Sequence, residues 1–197
     1  MLLENNNVYG RYKRYQQVRD SVWQTLIDYK VTELPISLYS ICKTSGIKLI
    51  KNSVSHSLNE NESGMSVFQH GVWYVIYDDN ELKTRTRFTI AHELGHIFLG
   101  HKMKNGLYTR KNNMFKPSDE TEADMFAARL LAPACVLWGV NTQTAEQIAT
   151  VCNISREAAK VRAERMEILR ERGKFLTSPL EQQVYKQFEN YIKNNRL

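Results

Sequence analysis

Two histidines four residues apart, His92 and His96, sit in a run whose apolar residues recur at helical spacing: Phe88, Ile90, Ala91, Leu94, Ile97 and Leu99. On a helix, residues i and i+4 lie one turn apart on one face, so both imidazoles project to the same side. That spacing lets both ring nitrogens reach one Zn²⁺ at roughly 2.0–2.1 Å. Glu93 is rotated by about 100° from its neighbour and does not share that approach. It is placed instead to take a proton from a water at the metal. Gly95 costs about 1 kcal/mol in helix propensity and leaves room for another segment to come close. Thr84 or Thr86 can cap the start of this helix, and Gly100 terminates it after Leu99. With 5 His and 15 Glu in the chain, His-Glu-x-x-His arises by chance in roughly one such sequence in a hundred.

Two histidines do not complete a catalytic zinc site, which takes three protein ligands and keeps a position for water. His101 is nearest, but His-Glu-x-x-His-x-x-Gly-x-x-His needs glycine at 99 and histidine at 102. Leu99 and Lys102 stand there, so Gly100 and His101 each miss by one. His56 and His70 fall in loops and read as surface residues. The segment 120–128 holds the remaining supply. On a helix opened by Ser118 or Asp119 and stopped by Pro133, Glu120 and Asp124 share a face with Ala127 and Leu131. Glu122 points nearly the other way, toward Phe126 and Arg129, and reads as solvent-facing. Glu120 then supplies the third ligand, and Asp124 accepts a hydrogen bond from a ligand histidine and fixes its tautomer. The blander reading of these acids is a first turn favoured by the helix dipole. A two-histidine site short of a ligand tips the balance toward the metal.

The rest of the chain reads as α+β, a small mixed or antiparallel sheet packed with helices. Apolar residues recur helically from Gln16 to Tyr29, after a loose start at Asn5–Asn7, and a second helix runs from Pro35 to Gly46. A strand at 47–50 follows, then a polar loop at 52–64. Met65–Phe68 and Val72–Tyr77, separated by Gln69-His70-Gly71, form a hairpin. The loop from Lys102 to Lys116 is basic, contains no acid, and suits one wall of a substrate cleft. Beyond Asn141 the pattern is helical, which divides the chain into a catalytic part, 1–140, and a helical C-terminal region, 141–197. The three cysteines, Cys42, Cys135 and Cys152, lack paired spacing and read as reduced, partly buried thiols. With no signal peptide and no apolar run near about 18 residues, the chain reads as a soluble cytoplasmic protein without a membrane partner. Its formal net charge of +6 is best taken as a solvated basic surface.

Arg85-Thr86-Arg87-Phe88-Thr89-Ile90-Ala91-His92-Glu93-Leu94-Gly95-His96, followed by Glu120-x-x-x-Asp124-x-Phe126-Ala127-Ala128-x-Leu130-Leu131-x-Pro133, resembles the ImmA/IrrE family of metallo-endopeptidases. The resemblance is strong from Arg85 to Pro133 and weaker on either side. It implies a gluzincin-like (zincin-like) fold and a cytoplasmic enzyme of mobile-element type. Such an enzyme cleaves a helix-turn-helix repressor and so derepresses genes. By position it carries the zinc ligands to His92, His96 and Glu120 and the general base to Glu93. The family motif often has Asn where Asp124 stands, and Ala132 replaces the methionine common before the proline. Residues 144–172 faintly resemble a helix-turn-helix themselves, with a tail helix over 179–197. The turn at Asn153 lacks glycine, however, and Arg162 falls where an apolar core residue belongs. A helical cap is therefore the better reading of this region, and nucleic acid an unlikely partner. The rival from another class is a DNA-binding or sensor regulator built on a zinc-peptidase-like fold. Oligomeric state is not legible.

Overall fold

In the computed structural model, residues 2–101, 107–109 and 117–197 are described, with side chains from Lys13 to His101 and from Ser118 onward. The sheet grows from a hairpin of β2 (Gly64–Gln69) and β3 (Val72–Tyr77). His70 and Gly71 at its tip take φ of +49° and +76°, the left-handed pair that a two-residue turn needs to match strand twist. Phe68 faces Trp73 across the ladder with ring centroids 5.1 Å apart, a pairing that pins the register. β1 (Lys48–Lys51) runs parallel to β3, and β4 (Leu107–Thr109) lies antiparallel on the other side of β2, giving the order β1-β3-β2-β4. The architecture is α+β, as expected from the pattern. β4 lies within the stretch expected as a basic loop; the rest of that stretch is outside the described residues.

The helices begin with α1 (Leu2–Asp28), which starts well before Gln16. Asn5–Asn7 and Gly10 are poor helix formers, and the apolar repeat that signals a buried face starts only at Val18. Val18, Val22 and Leu26 are fully buried. α2 (Leu38–Ser45) is capped by Ser37 and stopped by Gly46 in the left-handed region. α3 (Asn52–Ser55) is one turn inside the expected polar loop. Its start is held by Asp79, whose carboxylate accepts from Ser53 N at 3.0 Å and Ser53 Oγ at 2.7 Å. A cap supplied from 26 residues away leaves no local pattern.

α4 (Lys83–Phe98) packs on β2 and β3, and α5 (Pro117–Leu131) packs on α4 and α1. Neither expected threonine caps α4: Leu82 holds that position, and Thr86 Oγ1 donates to Asp78 O at 3.3 Å instead. α5 opens one residue early on Pro117, whose missing N–H costs nothing in a first turn. Pro133, expected only as a stop, also begins the short buried helix α6 (Ala134–Gly139).

Beyond it, α7 (Ala145–Cys152) opens with a reciprocal cap between Thr144 and Gln147. α8 (Arg156–Glu171) is capped by Ser155, α9 (Pro179–Gln187) by Ser178, and α10 (Glu189–Asn194) closes the chain. Asn153 turns α7 into α8 at φ +51°, with Ile148, Cys152, Ile154 and Ala159 buried beneath. Asparagine tolerates that conformation, so the missing glycine is no obstacle. All three cysteines are buried and free. Among the described residues no helix is long and apolar enough to cross a membrane.

Candidate metal centre

Helices α4 and α5 meet at Gly95. A Cβ there would lie 3.1 Å from Ala123 Cα and 3.2 Å from both Ala123 O and Phe126 Cβ, so any side chain at this position would push the two helices apart. On the sheet side, a Cβ on Gly64 would collide with Thr89 Cγ2. The two glycines let the middle of α4 lie between β2 and α5, and the whole stretch from Thr89 to His96 is buried.

That approach brings His92, His96 and Glu120 together, one ligand atom from each within 4.8 Å of the others. The two imidazole Nε2 atoms are 3.0 Å apart. Glu120 Oε2 lies 3.4 Å from His92 Nε2, and its Oε1 lies 3.4 Å from His96 Nε2. Ligand atoms about 2.0–2.1 Å from a tetrahedral centre stand about 3.3 Å apart, so these spacings fit one small divalent ion. Glu120 Oε1 is buried and has no hydrogen-bond donor among the described residues, an arrangement that a cation would relieve. Burial alone would raise the Glu120 carboxyl; the contacts with both imidazoles outweigh it and hold the carboxyl far below its ordinary range.

Each imidazole is oriented from behind. Asp124 Oδ1 is 2.8 Å from His92 Nδ1. With the carboxylate accepting there, neutral His92 carries its proton on Nδ1 and turns the Nε2 lone pair toward the cluster. His96 Nδ1 lies 2.9 Å from His101 Nδ1, and His101 Nε2 lies 3.4 Å from Glu122 Oε2. Glu122 accepting from His101 Nε2–H leaves His101 Nδ1 to accept from His96, and His96 Nε2 again turns its lone pair toward the cluster. His101 is thus behind the cluster and not within it.

Glu122 corrects the solvent-facing expectation: its side chain is 18% exposed and turned to His101. The helical wheel alone misses this because α4 does not simply end. Gly100 at φ +65° reverses the chain, and His101 N donates to His96 O at 3.1 Å, folding His101 back over the last turn.

Glu93 is 2% exposed and faces β2, where Ser66 Oγ donates to its Oε2. Burial pushes its carboxyl above the ordinary range, against the pull of His92, His96 and the Ser66 hydroxyl. Ser66 has no sequence signal beyond an inward position on a strand. His56 and His70 stand apart, at positive-φ turns. A groove of about 780 Å³ begins at Phe88 and Asp124 and runs past Met125 and Ala128 to Val161 and Arg165, between α4, α5 and α8.

A peptidase family model described as the IrrE N-terminal-like domain matches residues 42–164. Metallopeptidase ImmA of Bacillus subtilis (strain 168) is 27% identical over 95 residues, 48% of this chain and 53% of that protein. The chain therefore spans about half the length of the curated relative it matches. The family match runs from the middle of α2 to the middle of α8, taking in the sheet, both helices of the His92–His96–Glu120 cluster and the α7–α8 turn, and the chain belongs to the ImmA/IrrE family.

Proposed function

We propose that this chain is a single-zinc endopeptidase that cuts a helix-turn-helix repressor in the cytoplasm and so releases repressed genes. One observation carries the reading: His92, His96 and Glu120 converge on one point, with the buried Glu93 one residue along the same helix. The proposed ligands are those three side chains. Zn²⁺ held by them supplies a Lewis acid that polarises a peptide carbonyl and acidifies water. Glu93 acts as general base, taking a proton from the attacking water and returning it to the leaving amine. Its raised carboxyl pKa suits both halves of that task, since a stronger base removes the proton more readily. Ser66 holds the carboxylate in place from the strand, and Asp124 and His101 keep both imidazoles in the coordinating tautomer. The groove beside Asp124, about 780 Å³ in volume, is the place proposed for a segment of substrate.

The peptidase reading is supported by the family match and by the name of the Bacillus subtilis relative, a metallopeptidase. The repressor as substrate rests on the resemblance of the Arg85–Pro133 motifs to the family. The regulator reading gains little from α8. Arg162 donates to Ala132 O and Arg165 to Tyr15 Oη, so both are turned inward and not toward a nucleic acid. The test is co-expression with a neighbouring repressor. Wild type should shorten it at one site, while Glu93→Gln keeps its zinc and leaves the repressor whole. Equal cleavage by both forms would assign the cut to a host protease.

A further inference from the structure

A second cavity, of about 420 Å³, opens between α1, α8 and the start of α9 and contains none of the proposed metal ligands. Its wall carries Arg19, Arg129, Arg162, Arg165, Arg172 and Lys174, against the single carboxylate of Glu181. Arg19 pairs with Asp20 at 3.0 Å. The other five cations form no ion pair among the described residues. Glu181 is one carboxylate against six cations and forms no ion pair with any of them among the described residues; its Oε2 accepts from Thr177 N at 3.0 Å. Gathering like charges in a partly enclosed space costs free energy unless an anion joins them.

Two details make the imbalance local. The guanidinium carbons of Arg129 and Arg165 lie 4.4 and 5.7 Å from the ring centroid of Tyr15, and Arg165 Nη2 donates to Tyr15 Oη at 2.8 Å. Burial would raise the Tyr15 phenol, but the two arginine charges override it and hold it below its ordinary value. Arg162 is driven down to about 10, first by burial and then by Arg129 beside it. Two donors of the wall also have no acceptor among the described residues. They are the indole Nε1–H of Trp23, which is 4% exposed, and the Nε–H of Arg162. A buried donor left unpaired loses its hydration with nothing in return, which a ligand oxygen would restore.

We propose that this cavity binds a small phosphorylated organic molecule. Guanidinium forks match the paired oxygens of phosphate, and several of them meet here from three helices. Trp23, Ala134, Ile168 and Leu169 give the same wall an apolar portion suited to an organic body. The volume falls within the roughly 300–1,000 Å³ of small-molecule sites and is too confined for a nucleic-acid duplex.

The test follows the indole resonances of the 3 tryptophans in zinc-loaded protein, with Trp23 assigned by Trp23→Phe. Inorganic phosphate and AMP are titrated at constant ionic strength against chloride. Both should displace the Trp23 signal saturably, AMP at the lower concentration. Arg165→Gln, and separately Arg172→Gln at an exposed position, should weaken AMP by at least about tenfold, the loss of one charge-assisted contact. Absence of saturation by about 10 mM would overturn the proposal. So would wild-type affinity for AMP in both arginine variants, or tighter displacement of the same signal by a DNA duplex than by AMP.

Discussion

Gly95→Ala sets two physical effects against each other at the contact that builds the metal cluster. In an isolated helix, alanine is favoured over glycine by about 1 kcal/mol. Here the added methyl would sit 3.1–3.2 Å from three heavy atoms, whereas relaxed carbon contacts are about 3.5–4.0 Å. Two of those atoms are backbone of Ala123 and cannot rotate aside, and Phe126, which supplies the third, is fully buried. α5 must therefore back away, at an overpacking cost of about 1–3 kcal/mol. Overpacking exceeds the propensity gain, leaving a net loss of about 1 kcal/mol, or about 2–4 °C in Tm for a chain of this size. Because α5 also carries Glu120, the shift disturbs the proposed ligand set, and zinc affinity should fall by about tenfold. Thermal melts of zinc-free protein isolate the packing term, and competition with a chelator gives the affinity. A zinc-free variant melting at or above wild type, with unchanged zinc affinity, would refute the reasoning. It would mean that propensity wins and that the α4–α5 contact has slack.

Glu120→Ala should abolish tight zinc binding. Asp124→Ala should weaken it by about 100-fold and Glu122→Ala by about tenfold, the two ends of the usual range for groups that orient a ligand. The order follows from geometry: Asp124 meets His92 at 2.8 Å, whereas Glu122 meets only His101, at 3.4 Å. Chelator competition ranks the three, and a Glu122→Ala variant as tight as wild type would remove that residue from the chain behind His96. Burial pushes the Cys42 and Cys152 thiols up to about 12 and Cys135 higher still. Near pH 8 the thiolate fraction is then about one in ten thousand or less. An aromatic disulfide reagent should leave the native protein unlabelled and titrate all three thiols after guanidinium unfolding. Fast labelling of the native state would show that one of them is accessible.

Local rules make much of this chain legible. The pairing of His92 with His96 depends only on the 3.6-residue period, and the face shared by Glu120 and Asp124 follows from the same period. His70-Gly71 marks the hairpin tip because a two-residue turn demands left-handed backbone there. Ser155 and Ser178 cap the helices they precede, and Thr144 with Gln147 closes a reciprocal cap three residues long. In each case the interacting groups are a few residues apart, so the chemistry and the spacing appear together in the sequence.

The remaining decisions depend on partners distant in the chain. Ser66 reaches Glu93 across 27 positions, and Glu122 reaches His101 across 21. Asp79 caps α3 from another strand end, and β4 finds β2 from inside a stretch that reads as a loop. Arg129 and Arg165 meet over Tyr15, although each alone reads as an ordinary basic residue on a helix. A periodic pattern states which face of a helix is buried, but not which side chain of another element will lie against it. That choice depends on how closely the elements approach, and here the approach is set by glycines: Gly95 against Ala123 and Gly64 against Thr89. The residue types of the His92–His96–Glu120 cluster are therefore written locally, while its support, the Ser66 contact to buried Glu93 and the cationic cavity exist only once α4, α5, α8 and the sheet have packed.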